Sequence, residues 1–268
     1  MPNKKTQKSS TLPILTYHAI EDGDGPLSVS PRRFAEHLEA ISSLGYATTA
    51  LERSVNRLYR WGNHSVDREI AITFDDGYMS VLTEAMLLLE RFGFKATVFV
   101  ISDLVGCRLE GRELLGWRDI AALSKAGVEI GSHTATHAML TQLDLAGIYR
   151  EVGDSKRRIE DHLGKAVRYF AYPRGLATAR VRRVVAECGY VGACGTVAGT
   201  NTNQSDQYFL RRRELYDHDD FQGAIAKLRG KGDRLHNWVS PAWVRRMRLS
   251  EKLEGGCPQL VRAVRKLK

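Results

Sequence analysis

The chain has 268 residues, enough to bury a full core as one large α/β domain. Apolar residues are 43% and charged residues 26% of it, an ordinary globular balance, and no run approaches the 18 apolar residues of a membrane-spanning helix. A net charge of +9 favours a polyanionic neighbour such as a membrane surface, nucleic acid or acidic glycan, without choosing among them.

Residues 1–11 read as a disordered basic tail. The segment after it, Leu12–His18, is too short and polar for the apolar core of a signal peptide, so the chain is expected in the cytoplasm. Apolar runs then alternate with segments of helical spacing. Strands are expected at Ile14–Tyr17, Tyr46–Thr49, Ile70–Phe74, Ala96–Ile101, Val128–Ile130, Tyr169–Tyr172 and Val191–Gly195. Helices are expected at Pro31–Leu44, Met79–Phe92, Gly116–Ala126, Leu143–Leu163 and Ala177–Cys188, and a glycine follows each one within a residue or two. This rhythm predicts a parallel sheet or barrel. Cys107, Cys188, Cys194 and Cys257 form no metal-binding pair and read as reduced thiols, with a Cys188–Cys194 bridge left open.

Three segments carry the chemistry: Thr73-Phe74-Asp75-Asp76-Gly77-Tyr78, His133-Thr134-Ala135-Thr136-His137 and Phe170-Ala171-Tyr172-Pro173-Arg174-Gly175. An Asp-Asp-Gly triplet alone is usually a turn, and a lone H-x3-H is more often a pair of surface histidines. Here each follows an apolar strand-like run, and α/β sites form beyond the carboxyl ends of strands. His18 ends the first expected strand and joins that face. One carboxylate and two imidazoles make a catalytic zinc site with an open position, and a second carboxylate can act as base. Such a site suits Zn²⁺ and tolerates Co²⁺, Ni²⁺ or Mn²⁺.

These motifs resemble the polysaccharide deacetylase family, the NodB-like carbohydrate esterases of family 4, from Pro13-Ile14-Leu15-Thr16-Tyr17-His18 to about Leu228. The resemblance implies a deformed (β/α) barrel over 12–230 that removes acetyl from an N-acetylated sugar. It implies Asp75 as base and Asp76, His133 and His137 as metal ligands. A backbone amide at Arg174 would hold the oxyanion. Tyr78, Tyr172, Pro173 and Gly175 adjoin the motifs as candidate substrate-binding residues, and Trp117 is read as packing. Two features depart from the family's best-studied branch. The Arg that pairs with the base there is matched by Ala171 here, with Arg168 and Arg174 as candidate replacements. The late motifs that supply the general acid are absent, leaving His18 and His218 as candidates. Phe209-Leu210-Arg211-Arg212-Arg213-Glu214-Leu215 instead follows the exopolysaccharide-associated branch.

Residues 231–268 read as a basic amphipathic extension. Between 241 and 268, eight Lys and Arg face two Glu, interleaved with Trp243, Val244, Met247 and Leu249. That pattern suits peripheral contact with an anionic membrane. No helix-turn-helix, RNP or zinc-finger spacing occurs, so no nucleic-acid partner is expected. The expected substrate is an N-acetylated glycan or glycolipid. The alternatives are an amidase or deformylase on another amide, and a non-catalytic glycan binder.

Overall fold

The computed structural model describes residues 11–23, 25–60 and 68–231. The expected basic tail and C-terminal extension lie outside them, except for Thr11 and Lys231.

The elements in order are β1 (Leu12–Tyr17), α1 (Pro31–Ser43), β2 (Ala47–Thr48), α2 (Leu51–Arg60), β3 (Glu69–Phe74), α3 (Met86–Arg91) and β4 (Thr97–Val100). There follow α4 (Trp117–Lys125), β5 (Glu129–Ser132), α5 (Leu145–Tyr149), α6 (Ser155–Leu163), β6 (Tyr169–Ala171), α7 (Ala179–Glu187) and β7 (Gly192–Cys194). The last are β8 (Thr200–Asn201), β9 (Arg213–Glu214) and α8 (Phe221–Leu228). The main sheet runs β7-β6-β5-β4-β3-β1-β8, with β2 on β3 and β9 on β1. All its pairings are parallel except β1 with β8. The Leu210–Glu214 stretch closes the curl: Leu210 bridges Cys194 of β7, and Arg213 and Glu214 pair with Leu15 and Thr16 of β1. The result is the deformed (β/α) barrel.

Strand alternation divides the core in two. Leu12 and Ile14 of β1 join Ala71, Phe99, Tyr169, Ala171, Cys194 and Leu210 inside the barrel. Leu15, Tyr17, Ile70, Ile72 and Phe74 face outward under the helices. Both faces are covered, so β1 and β3 are buried along their whole length. α1 starts where Ser30 accepts from the Arg33 amide with Pro31 in the first turn, and it buries Phe34, Leu38 and Ile41.

Three features differ from the sequence expectation. The helix expected at Met79–Phe92 begins with a π turn at Val81–Ala85, and the one at Leu143–Leu163 is interrupted by another at Arg150–Asp154. Helix α2 was not anticipated, although Leu51, Val55 and Leu58 have helical spacing. It plugs the N-terminal end of the barrel with those three side chains. Cys188 and Cys194 are free thiols, so no bridge joins them, whereas Cys107 is disulfide-bonded, contrary to the reading of uniformly reduced thiols.

Candidate metal centre and active site

The C-terminal strand ends gather the three motifs. Asp75 and Asp76 follow β3, His133 follows β5, Tyr172–Gly175 follow β6 and His18 follows β1. The Asp75 amide donates to the Tyr17 carbonyl at 2.9 Å, which ties the ends of β3 and β1 together.

Asp76, His133 and His137 offer ligand atoms that all lie within 4.8 Å of one another. Asp76 Oδ1 is 3.5 Å from His133 Nε2 and 3.4 Å from His137 Nε2, yet accepts no hydrogen bond. His133 Nδ1 donates to the Ala171 carbonyl at 2.8 Å, which leaves Nε2 as a lone pair aimed at Asp76. Burial pulls the His133 imidazole down to about 4, and burial together with the nearby Arg174 charge does the same to His137. Neutral imidazoles facing a buried carboxylate oxygen without hydrogen bonds are a poor arrangement unless a cation sits between them. Tetrahedral bonds of 2.0–2.1 Å would separate neighbouring ligand atoms by about 3.3–3.5 Å, in line with the observed spacings. The residues therefore fit a divalent metal.

The backbone here is strained. Asp76, Thr134, His137 and Arg174 have φ of 68°, 70°, 66° and 57°, each costing about 1–3 kcal/mol outside glycine. The His137 amide donates to Thr134 Oγ1 at 2.9 Å, which helps to close the loop. Gly175 shows why the third motif needs a glycine. At φ 68° an added Cβ would stand 2.0 Å from Thr196 Oγ1.

Asp75 is buried beside this centre, and its cation is Arg212. The guanidinium donates to Asp75 Oδ1 at 2.8 Å and Oδ2 at 2.7 Å, with a further hydrogen bond from Nε to the Gly195 carbonyl at 2.8 Å. Burial opposes ionisation of Asp75, but the charge and hydrogen bonds of Arg212 outweigh it and hold the carboxyl well below the usual range. Neither replacement considered from the sequence fills this place. Arg168 pairs with Glu52 near the other end of the barrel, and Arg174 has no ion pair with Asp75. The Arg211-Arg212-Arg213 run was visible, but only barrel closure shows that its middle member turns inward.

The remaining candidates fall on both sides of the site. His18 Nδ1 lies 3.4 Å from Glu214 Oε1, and its charge would act on both Asp75 and His137. His218 is exposed and stacked on Tyr216. Tyr172 is fully buried and donates to the Tyr208 carbonyl at 2.8 Å, so its ring cannot stack on a sugar. Tyr78 is also buried, with its phenol pushed up first by burial and then by the Asp76 charge. Both tyrosine rings are thus buried, a position suited to shaping the pocket more than to stacking on a sugar. Pro173 and Gly175 are buried in the turn that carries Arg174. Trp117 packs on the outer core and stacks on His162, with ring centroids 3.7 Å apart.

Known proteins are similar to this chain in sequence and in fold. A family model described as polysaccharide deacetylase matches residues 62–193. YxkH of Bacillus subtilis, named for the polysaccharide deacetylases, is 27% identical over 208 residues, which span 78% of this chain and 72% of YxkH. A peptidoglycan-N-acetylglucosamine deacetylase of Bacillus cereus is 30% identical over 131 residues, 48% of this chain and 57% of that protein. The solved Streptococcus pyogenes deacetylase PplD, in complex with acetate, shares the fold with a TM-score of 0.75 at 22% identity, covering 82% of this chain and 98% of that one. With the three motifs converging at one end of a deformed barrel, the matched residues 62–193 belong to the polysaccharide deacetylase family.

Proposed function

We propose that this chain is a metal-dependent hydrolase that removes acetyl from an N-acetylated hexosamine in a polysaccharide or lipid-linked glycan. The observation that carries the reading is an ionised, buried Asp75 held by Arg212 beside three convergent ligand atoms. Asp76, His133 and His137 would hold the metal. When bound, Zn²⁺, or Co²⁺, Ni²⁺ or Mn²⁺ in its place, supplies Lewis acidity that polarises the acetamide carbonyl and acidifies water.

Asp75 takes the proton of the attacking water as its oxygen bonds to the carbonyl carbon. Arg212 keeps that carboxylate charged in a buried setting and fixes both its oxygens. The Arg174 amide is the proposed donor to the developing oxyanion. His18, steadied by Glu214, is the proposed acid that protonates the nitrogen as the C–N bond breaks, so acetate and a free amine leave. The chemistry also suits an amidase or deformylase acting on another amide, and substrate preference separates these readings.

The relatives point to glycans: the Bacillus cereus protein is named for N-acetylglucosamine in peptidoglycan. The basic sequence at 241–268 adds the proposal of peripheral contact with anionic membrane, where a lipid-linked glycan would reside. Equal binding of full-length and tail-truncated protein to anionic liposomes would remove it.

The decisive assay measures acetate release from N-acetylglucosamine oligomers and lipid-linked precursors, with chelator and with Zn²⁺ added back. Chelator-sensitive release restored by Zn²⁺ is expected. Metal-loaded protein that releases no acetate from any of them would redirect the reading to another acyl group or to a non-catalytic binder.

A further inference from the structure

The two histidines of the centre are held in different ways. His133 is fixed through its own ring by the Ala171 carbonyl. Among the described residues no group hydrogen-bonds the His137 ring, so its direction follows from the loop backbone. That backbone is left-handed at Thr134 and at His137 itself, a conformation that persists only where its surroundings over-determine it.

A side chain outside all three motifs supplies the restraint. The Ala135 and Thr136 amides donate to Glu151 Oε2 at 3.0 and 2.9 Å, and Thr136 Oγ1 donates to Glu151 Oε1 at 2.8 Å. The Glu151 carbonyl also accepts from the Ala135 amide at 3.1 Å. Consecutive amides cradling one carboxylate make an anion nest built from the metal loop itself. Glu151 stands in the π turn at Arg150–Asp154, whose wider turn re-aims side chains relative to a regular helix. Four residues on, Ser155 Oγ donates to the Thr134 carbonyl at 3.0 Å, anchoring the start of the same loop.

We propose that Glu151 is a positioning residue that sets the metal ligand His137 by clamping the Ala135 and Thr136 amides. The proposal rests on the metal-site reading above and adds to it a determinant of metal affinity outside the ligand set.

The test uses full-length protein stripped of metal. It reads Zn²⁺ affinity by competition with a chromophoric chelator, together with the visible spectrum of the Co²⁺-loaded protein and the Tm of the apo form. E151A removes the clamp, E151D keeps the charge but shortens the reach, and E151Q keeps the reach and an acceptor without the charge. E151A and E151D are expected to bind Zn²⁺ about 10–100-fold more weakly with altered Co²⁺ bands, and E151Q to stay within about threefold of wild type. If E151A does not fold, the contrast between E151D and E151Q carries the test. Unchanged Zn²⁺ affinity and Co²⁺ spectrum in E151D, even with a lower Tm, would mean a structural role alone and overturn the proposal. Wild-type protein that binds no divalent ion would instead overturn the metal-site reading itself.

Discussion

At the C-terminal mouth of the barrel Asp75 lies under the Arg212 guanidinium; at the N-terminal mouth Glu129 accepts from the Glu52 amide at 3.0 Å and the Thr97 hydroxyl at 3.2 Å. Burial pushes both carboxyls upward. It carries Glu129 up to about 7, whereas Arg212 reverses the direction for Asp75. The same fold thus lowers the pKa of one buried carboxyl and raises that of another, and the difference is one bidentate cation. The N-terminal mouth also has a cavity of about 760 Å³, lined by Glu52, Arg53, Asn56, Arg57, Arg60 and Glu129 among others. Yet the convergent ligand atoms lie at the opposite end, so open volume does not locate the chemistry here.

The strongest way to break the comparison is Asp75→Asn. Without a base at the C-terminal mouth, kcat should fall by about 10²–10⁴, while Zn²⁺ affinity by chelator competition stays near wild type. Activity retained in this variant would contradict the mechanism.

Arg212→Met should make Asp75 resemble Glu129. Leaving a buried carboxylate without its cation costs about 3–5 kcal/mol by denaturant unfolding. In wild type the depressed Asp75 pKa contributes stability above the ordinary carboxylate range, lost as pH falls through the folded value. In Arg212→Met that contribution should vanish, and the acid limb of the pH–rate profile should move upward.

Glu129→Gln tests the other mouth, where the sign is opposite. Between about 4.5 and about 7 the folded protein keeps a proton that the unfolded chain has released, so wild-type stability should fall as pH rises through this window. Gln removes that slope. Discounted for the solvent in the adjoining cavity, the gain at pH 8 should be on the order of 1–2 kcal/mol, read as a Tm difference that disappears at pH 4. Equal slopes in both proteins would contradict the raised Glu129 pKa.

The smallest effect is expected from Glu214→Gln, which leaves His18 in place but removes its anionic partner. A fall in kcat of about 3–10-fold with KM unchanged would support His18 as the acid. An unchanged kcat would return the acid to the unassigned groups.

Much of the fold is legible in the sequence. The strand–helix rhythm is local: β-branched runs such as Ile70-Ala71-Ile72-Thr73-Phe74 extend, and the glycines at 45, 93, 127, 164 and 189, all with positive φ, stop helices. The candidate ligand set was legible because strand ends in a parallel sheet share a face. Helix α2 was missed although its spacing is helical, since its role as a plug depends on where the N-terminal strand ends meet. The direction of the Tyr172 ring was not legible: adjacency to a motif says nothing about which way a ring turns, and its hydroxyl finds the Tyr208 carbonyl.

What the sequence determined by itself is the element order, the parallel α/β class and the residues able to bind a metal. These follow from short-range spacing and from the chemistry of individual side chains. Only the tertiary structure decided that Arg212 is the partner of Asp75, 137 positions away, and that Glu214 faces His18. Closing a curled sheet brings its last strand against its first, and no local pattern encodes which side chain of that strand then points inward.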